Sequence, residues 1–118
     1  MNLRNKVQLI GNLGNNPMVR VFESGKKIAR FSVATSDIYN EDGTFVKNTQ
    51  WHTVVCHNKV ADIAEQFLSV GSEVVVDGSI CTRSYDDKEG KKQYITEIIA
   101  NSILCRNKNN VKINLQRA

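Results

Sequence analysis

Apolar and polar residues alternate with a period of two over most of this chain, and the alternating stretches end in glycine, proline or Asp-Gly turn signals; no other feature limits the fold as tightly. That period places one set of side chains on each face of a strand. NKVQLIGNL (5–13) alternates, carries β-branched residues, and stops at GNNP, where Gly14 and Pro17 supply turn chemistry. MVRVFE (18–23) continues extended, the chain turns at Gly25, and KIARFSVATSD (27–37) alternates again. Asp42 and Gly43 mark the tip of a long hairpin, with TQWHTVVCH (49–57) as its returning strand. SEVVVDGSICTRSY (72–85) and KQYITEIIANSIL (92–104) flank DDKEGK, a second hairpin turn.

One stretch departs from this period. In KVADIAEQFLSVG (59–71), Val60, Ile63, Ala64, Phe67 and Leu68 fall at i, i+3, i+4, i+7 and i+8, the stripe of a helix packed on a core, and Gly71 stands where a helix would stop. Asp62, Glu65 and Gln66 on its polar face make it a poor reader of DNA. The order of elements, with a single helix between the third and fourth long strands and a hairpin after it, is that of a five-stranded OB-fold barrel, an all-β architecture with long β-hairpins. With 118 residues, one core is expected. The expected division is a folded domain over 1–105 and a short, basic, flexible tail over 106–118.

Apolar residues make up 41% and charged residues 24%, the balance of a folded soluble domain. No run approaches the roughly 20 apolar residues that span a bilayer, and MNLRNKVQLIGNLG lacks the small-residue cleavage site of a secretory leader, so a cytoplasmic protein with no membrane partner is expected. Cys56, Cys81 and Cys105 are odd in number and widely spaced, which suits reduced, buried thiols better than a disulfide framework. The net charge of +4 arises in the tail: Arg106, Lys108, Lys112 and Arg117 have no acid among them, and the other 12 basic residues balance 12 acids. Distribution says more, because residues 1–30 hold Arg4, Lys6, Arg20, Lys26, Lys27 and Arg30 against Glu23 alone, the makings of a local basic surface.

Catalytic chemistry finds little support. The cysteines and histidines form no CxxC, no HExxH and no spacing of a structural zinc site. His52 and Cys56, four apart on a strand, stand about 13 Å apart by strand rise, too far to share a metal. GNLG is not GxGxxG and leads into another extended segment, so a turn explains it better than a phosphate loop. No serine sits in a nucleophile elbow. The expectation is a binding protein and not an enzyme, with no cofactor and no metal.

Trp51, the single tryptophan, shares one strand face with Thr53, Val55 and His57, while His52, Val54 and Cys56 take the other. An indole and an imidazole on one face make an odd core but a sensible binding surface, on which a base of any identity stacks for about 1 to 3 kcal/mol. A core tryptophan with its N–H satisfied is the alternative. Tyr39, at the base of the 38–48 hairpin, and Tyr85, at the start of DDKEGK, could extend that platform or be solvated hairpin aromatics; His57 could equally be an ordinary surface histidine. Lys47, Lys59 and Arg83 flank these rings and would track phosphates.

In this order and spacing, NKVQLIGNLGNNP, ARFSVATS, TQWHTVV, GSEVVVDGSICTRSY and YITEIIA resemble the bacterial single-stranded DNA-binding protein family over residues 3–105. The resemblance implies a homotetramer of OB folds that wraps single-stranded DNA, stacks bases on aromatics and catalyses nothing, serving replication, recombination and repair. It implies base stacking for Trp51, for Tyr39 and Tyr85, which stand where better known members often carry tryptophan, and for His57, where they often carry phenylalanine. It sets Lys6, Arg20, Lys59 and Arg83 at basic positions facing the nucleic acid. His52 falls at a subunit contact, so that TQWHTVVCHNK would divide into a DNA face and a subunit-facing one. Family members usually finish in a flexible linker and an acidic, apolar tip that recruits replication and repair enzymes. This sequence ends in basic VKINLQRA, and recruitment through such a tip is not expected of it. A second reading of the same fold is a primosome-type accessory protein acting mainly through protein–protein contacts.

Overall fold

Strands form where the sequence alternates. β1 (Val7–Leu13), β2 (Met18–Val21), β3 (Lys27–Glu41) and β4 (Thr44–His57) precede α1 (Lys59–Phe67), and β5 (Glu73–Asp86), β6 (Lys92–Arg106) and β7 (Lys112–Gln116) follow it. The computed structural model describes residues 4–106 and the backbone of 112–116. β1 pairs with β5, β5 with β6, β6 with β4 and β4 with β3; β3 returns to β1 through Asn12↔Ala34 and Leu13↔Val33, closing a five-stranded barrel. β2 runs along β3 and β7 along β6.

The β3–β4 ladder is antiparallel and runs without a break from Ile28↔His57 to Glu41↔Thr44. Its tip is a two-residue loop in which Asp42 (φ 51°) and Gly43 (φ 84°) both take positive φ, the geometry of a type I′ turn that matches strand twist. β5 and β6 form the second long hairpin, and β4 and β6 are the parallel pair, through Val54↔Ile98 and Val55↔Ile99. Because β4 and β6 each begin at a hairpin tip and run the same way, both hairpins project from one end of the barrel. α1, which follows β4, lies at the other.

Alternate residues fill the interior: Ala29, Phe31 and Val33 of β3, Val54 and Cys56 of β4, Val74 and Val76 of β5, and Ile98 and Ile103 of β6 are buried together with Val60, Ala61 and Ala64 of α1. Burying each large aliphatic side chain contributes about 1.5–3 kcal/mol. At the barrel corner β5 and β6 shift register, with Asp77 opposite Ser102 and Gly78 opposite Ala100, so Asn101 is the extra residue of a bulge. The backbones close in so tightly there that a Cβ on Gly78 would stand 2.0 Å from the Ile99 carbonyl oxygen.

Three expectations are corrected. The face of β4 opposite Trp51 is the barrel interior at Val54 and Cys56, not a subunit-facing surface, since closure turns one whole face of each strand inward. Only His52, half-buried and hydrogen-bonded through Nε2 to Thr35 Oγ1 at 2.9 Å, lies between that core and the exposed arm. The helix ends at Phe67, short of Gly71: Leu68 is extended (φ −98°, ψ 141°) and buried. The next amides donate elsewhere, Val70 N–H to Asn16 Oδ1 and Gly71 N–H to the Leu13 carbonyl, so no helical turn can form. Finally, the segment expected as a flexible tail contains β7, antiparallel to β6 from Ser102↔Gln116 to Arg106↔Lys112. Ile113 and Leu115 alternate as a strand requires, and β6 presents an edge beyond its pairing with β4. Lys108 and Arg117 lie outside the described residues.

Burial pushes the Cys56 thiol up to about 12 and raises that of buried Cys105 as well, whereas Cys81 is exposed. A thiolate is the reactive form. At pH 8 a maleimide or a disulfide reagent should therefore modify Cys81 rapidly and the other two only on unfolding, and Cys81→Ser should abolish the fast phase. A fast phase surviving in that variant would contradict the burial.

Candidate nucleic-acid interface

Residues opposite one another on paired strands share a face. On the outer side of the barrel, Ala34 is opposite Trp51, Ser32 opposite Thr53, Arg30 opposite Val55 and Ile28 opposite His57. Met18 and Arg20 of β2 extend the Arg30 and Ile28 rows. Val55 stands beside Ile99 of β6, and Ile99, Glu97, Ile95 and Gln93 are opposite Ser79, Cys81, Arg83 and Tyr85 of β5. Trp51, His57, Arg20, Arg83 and Tyr85 therefore lie on a single face built from five strands.

Tyr39 does not. It is opposite Val46, whereas the Trp51 side of the β3–β4 arm carries Ile38 and Lys47. Both tyrosines are about half exposed, but of the two only Tyr85 is on the Trp51 side, where the β3–β4 arm instead offers the exposed Phe45 ring, opposite Asn40. Lys47 is exposed on its arm. Lys59, also exposed, opens α1 at the far end of β4, and Lys6, just before β1, reaches Asp77 at 3.8 Å. Arg20 lies over the Phe22 ring, 4.9 Å from its centroid, in cation–π geometry.

Trp51 stands at the base of the β3–β4 arm and is 63% exposed, which excludes a core tryptophan. Its indole is seated on Gly14: a Cβ there would lie 2.4 Å from Trp51 Cζ3 and 2.9 Å from Cη2. The seat is fixed by its neighbours. Gly14 N–H donates to the Ser32 carbonyl at 2.9 Å, while Asn15 Oδ1 accepts from Ser32 N–H at 2.9 Å and from its hydroxyl at 2.7 Å. The GNLG turn is thus the floor of the aromatic site.

Sequence reasoning missed Glu97 on this face and named Arg30 only within a general basic segment. Glu97 is buried, 3% exposed, and accepts hydrogen bonds from Arg30 and from Arg83. The bond to Glu97 raises the pKa of Arg83, which holds its positive charge all the more firmly. A single acid amid the apolar run of ITEIIA, and an arginine inside the alternation of ARFSV, were the available signals. Among the described residues no group of three His, Cys, Asp or Glu side chains is placed to hold a metal ion, and no helix is long and apolar enough to cross a membrane.

Residues 4–105 match the single-strand binding protein family. This chain belongs to the single-strand binding protein family. Among curated relatives, the Single-stranded DNA-binding protein 1 of Chlorobaculum tepidum is 44% identical over 97 residues, covering 80% of this chain and 60% of that protein. The protein of the same name from Xylella fastidiosa is 44% identical over 98 residues, 81% of this chain and 72% of its own length. The chain thus spans less than two thirds of the first of these. Among solved structures, a chain of the Plasmodium falciparum SSB complex with ssDNA superposes with a TM-score of 0.75 at 33% identity, covering 85% of this chain and 90% of that one. The OB-fold barrel with one helix is thus the fold of this family member.

Gly14→Ala should push the indole off its seat while leaving the barrel folded, because the groups that must give are the end of an exposed ring and the Ser32 hydroxyl, 2.9 Å from the added Cβ, and not backbone. The expected result is altered tryptophan emission and near-UV dichroism, with stability within about 1 kcal/mol of wild type. Unchanged tryptophan signals would contradict the contact.

Proposed function

We propose that this chain binds single-stranded DNA without catalysis and largely without regard to sequence, on the outer face carrying Trp51. The observation behind this reading is an exposed indole seated on a glycine floor, with arginines and a second exposed ring, Tyr85, on the same face. A duplex hides the faces of its bases, whereas a single strand offers them, and a base stacks on such a ring whatever its identity. Arg20, Arg83 and Lys47 neutralise phosphates and release counterions. The two arms rise from the same end of the barrel, so a strand passing between them meets Trp51 at their base. Tyr85 extends the platform along one arm and His57 continues it down β4. Tyr39 serves a strand that has crossed to the other side of its arm, and Lys6 and Lys59 flank the path. The family and the relative solved with ssDNA support this reading. The protein would act in the cytoplasm, in replication, recombination and repair.

The chain would also work as a homo-oligomer, a tetramer on the family pattern, with His52 at a subunit contact. In support, β1 from Val7 to Gly11 has a ladder partner on its β5 side alone among the described residues. Ile10, 61% exposed, stands in a row with Val75 and Leu104. An unpaired edge beside an apolar row invites a second strand. Light scattering should give a mass of four chains, and Ile10→Asp should reduce it; a monomeric wild type would refute the assembly.

With a single tryptophan, fluorescence reports on Trp51 alone. Added oligo(dT) should quench it saturably, with log K falling against log salt at a slope of about −0.7 per neutralised phosphate. Trp51→Ala should weaken binding by about 5- to 150-fold, the range of one lost stacking contact. Folded protein that shows no quenching and no salt-dependent binding would overturn the reading in favour of a primosome-type protein–protein module.

A further inference from the structure

An acid at the centre of a surface that meets a polyanion lowers its attraction, and Glu97 occupies that position while almost wholly buried, 3% exposed. We propose, building on the single-stranded DNA reading above, that Arg30, Arg83 and Glu97 form a phosphate subsite beside Trp51, with Glu97 as its positioning residue.

The arginines come from β3 and β5, strands that do not pair with each other; β4 and β6 lie between them. Glu97 on β6 gathers them, Oε2 accepting from Arg30 Nη1 at 2.5 Å and Oε1 from Arg83 Nε at 3.0 Å. The guanidinium-bearing side chains are 40% and 48% exposed against 4% for the carboxylate they cover. Each guanidinium has five N–H donors in a planar fork, more than one carboxylate oxygen engages, and the remainder can meet a phosphate bidentately. Left alone, the two cations would repel and each would lose side-chain freedom on binding. Tied to one carboxylate, they lose it during folding instead. The trio keeps a net charge of +1, a match for a single phosphate.

Position completes the case. Val54↔Ile98 and Val55↔Ile99 fix the β4–β6 register, and one further step sets Glu97 beside Thr53. Thr53 is two residues along β4 from Trp51, about 7 Å by strand rise and on the same face. A nucleotide stacked on the indole would have its backbone within reach of the two forks.

Glu97→Gln tests this through the sign of its effect, because it preserves shape and raises the local charge by one. A carboxylate that merely offset charge would leave the variant binding oligo(dT) as tightly as wild type or more so. Positioning predicts about 10-fold weaker binding, with a salt slope shallower by about 0.7, one phosphate contact. Quenching of Trp51 at saturation should be unchanged. Equal or tighter binding overturns the proposal. If Glu97→Gln fails to fold, Arg30→Lys/Arg83→Lys decides instead: it keeps both charges and loses both forks, and should show the same loss, whereas wild-type affinity overturns the proposal. Wild-type protein that does not bind oligo(dT) removes the DNA reading and the subsite with it; wild type that binds beside a variant of equal affinity removes the subsite alone.

Discussion

A one-residue slip in the ladder between β3 and β4 would exchange the two faces of β4, sending Trp51 into the barrel and Val54 and Cys56 to solvent. The register prevents this from both ends. At the tip, the two-residue loop at Asp42 and Gly43 fixes Glu41 opposite Thr44. At the base, Asn58 donates its N–H to the Lys27 carbonyl and accepts the Lys27 N–H on its side chain, anchoring the last pairs before α1. Every outward position on β4 depends on that alignment, and so does the barrel core.

Charge is arranged with the same economy. Two acids of α1 are engaged: Lys27 bonds both Asp62 and Glu65, and those bonds raise its pKa. This ties the helix to the start of β3, at the barrel end away from the arms. Glu97, the acid on the Trp51 face itself, is covered by two arginines. Among what that face presents to solvent are the Trp51 indole, the Tyr85 and Phe45 rings and the outer edges of guanidinium groups, a surface suited to an anionic chain of flat rings.

Much of this is legible in the sequence because a period of two needs no tertiary information. The alternation in TQWHTVVCH by itself separates Trp51 from Val54, and Asp-Gly marks the first arm. The features that escape a sequence reading depend on contacts between distant segments. The end of α1 is set by Asn16 and Leu13, some fifty residues away. Tyr39 and Trp51 flank one hairpin and so suggest a common platform, but their sides follow from pair-by-pair register, which spacing from a turn does not supply. Gly14 reads as turn punctuation; its meaning emerges only once the indole rests on it. Glu97 reads as one acid in an apolar strand, since its partners come from β3 and β5.

The central claim, that the β2–β3–β4–β6–β5 face receives the strand, is tested most directly by NMR of the labelled protein as oligo(dT) is added. The account predicts that the Trp51 indole N–H and the Nε–H groups of Arg30 and Arg83 shift together and saturate together, while the amides of α1 hold still. Shifts centred on α1 or on Ile10, with the Trp51 indole unmoved, would contradict it.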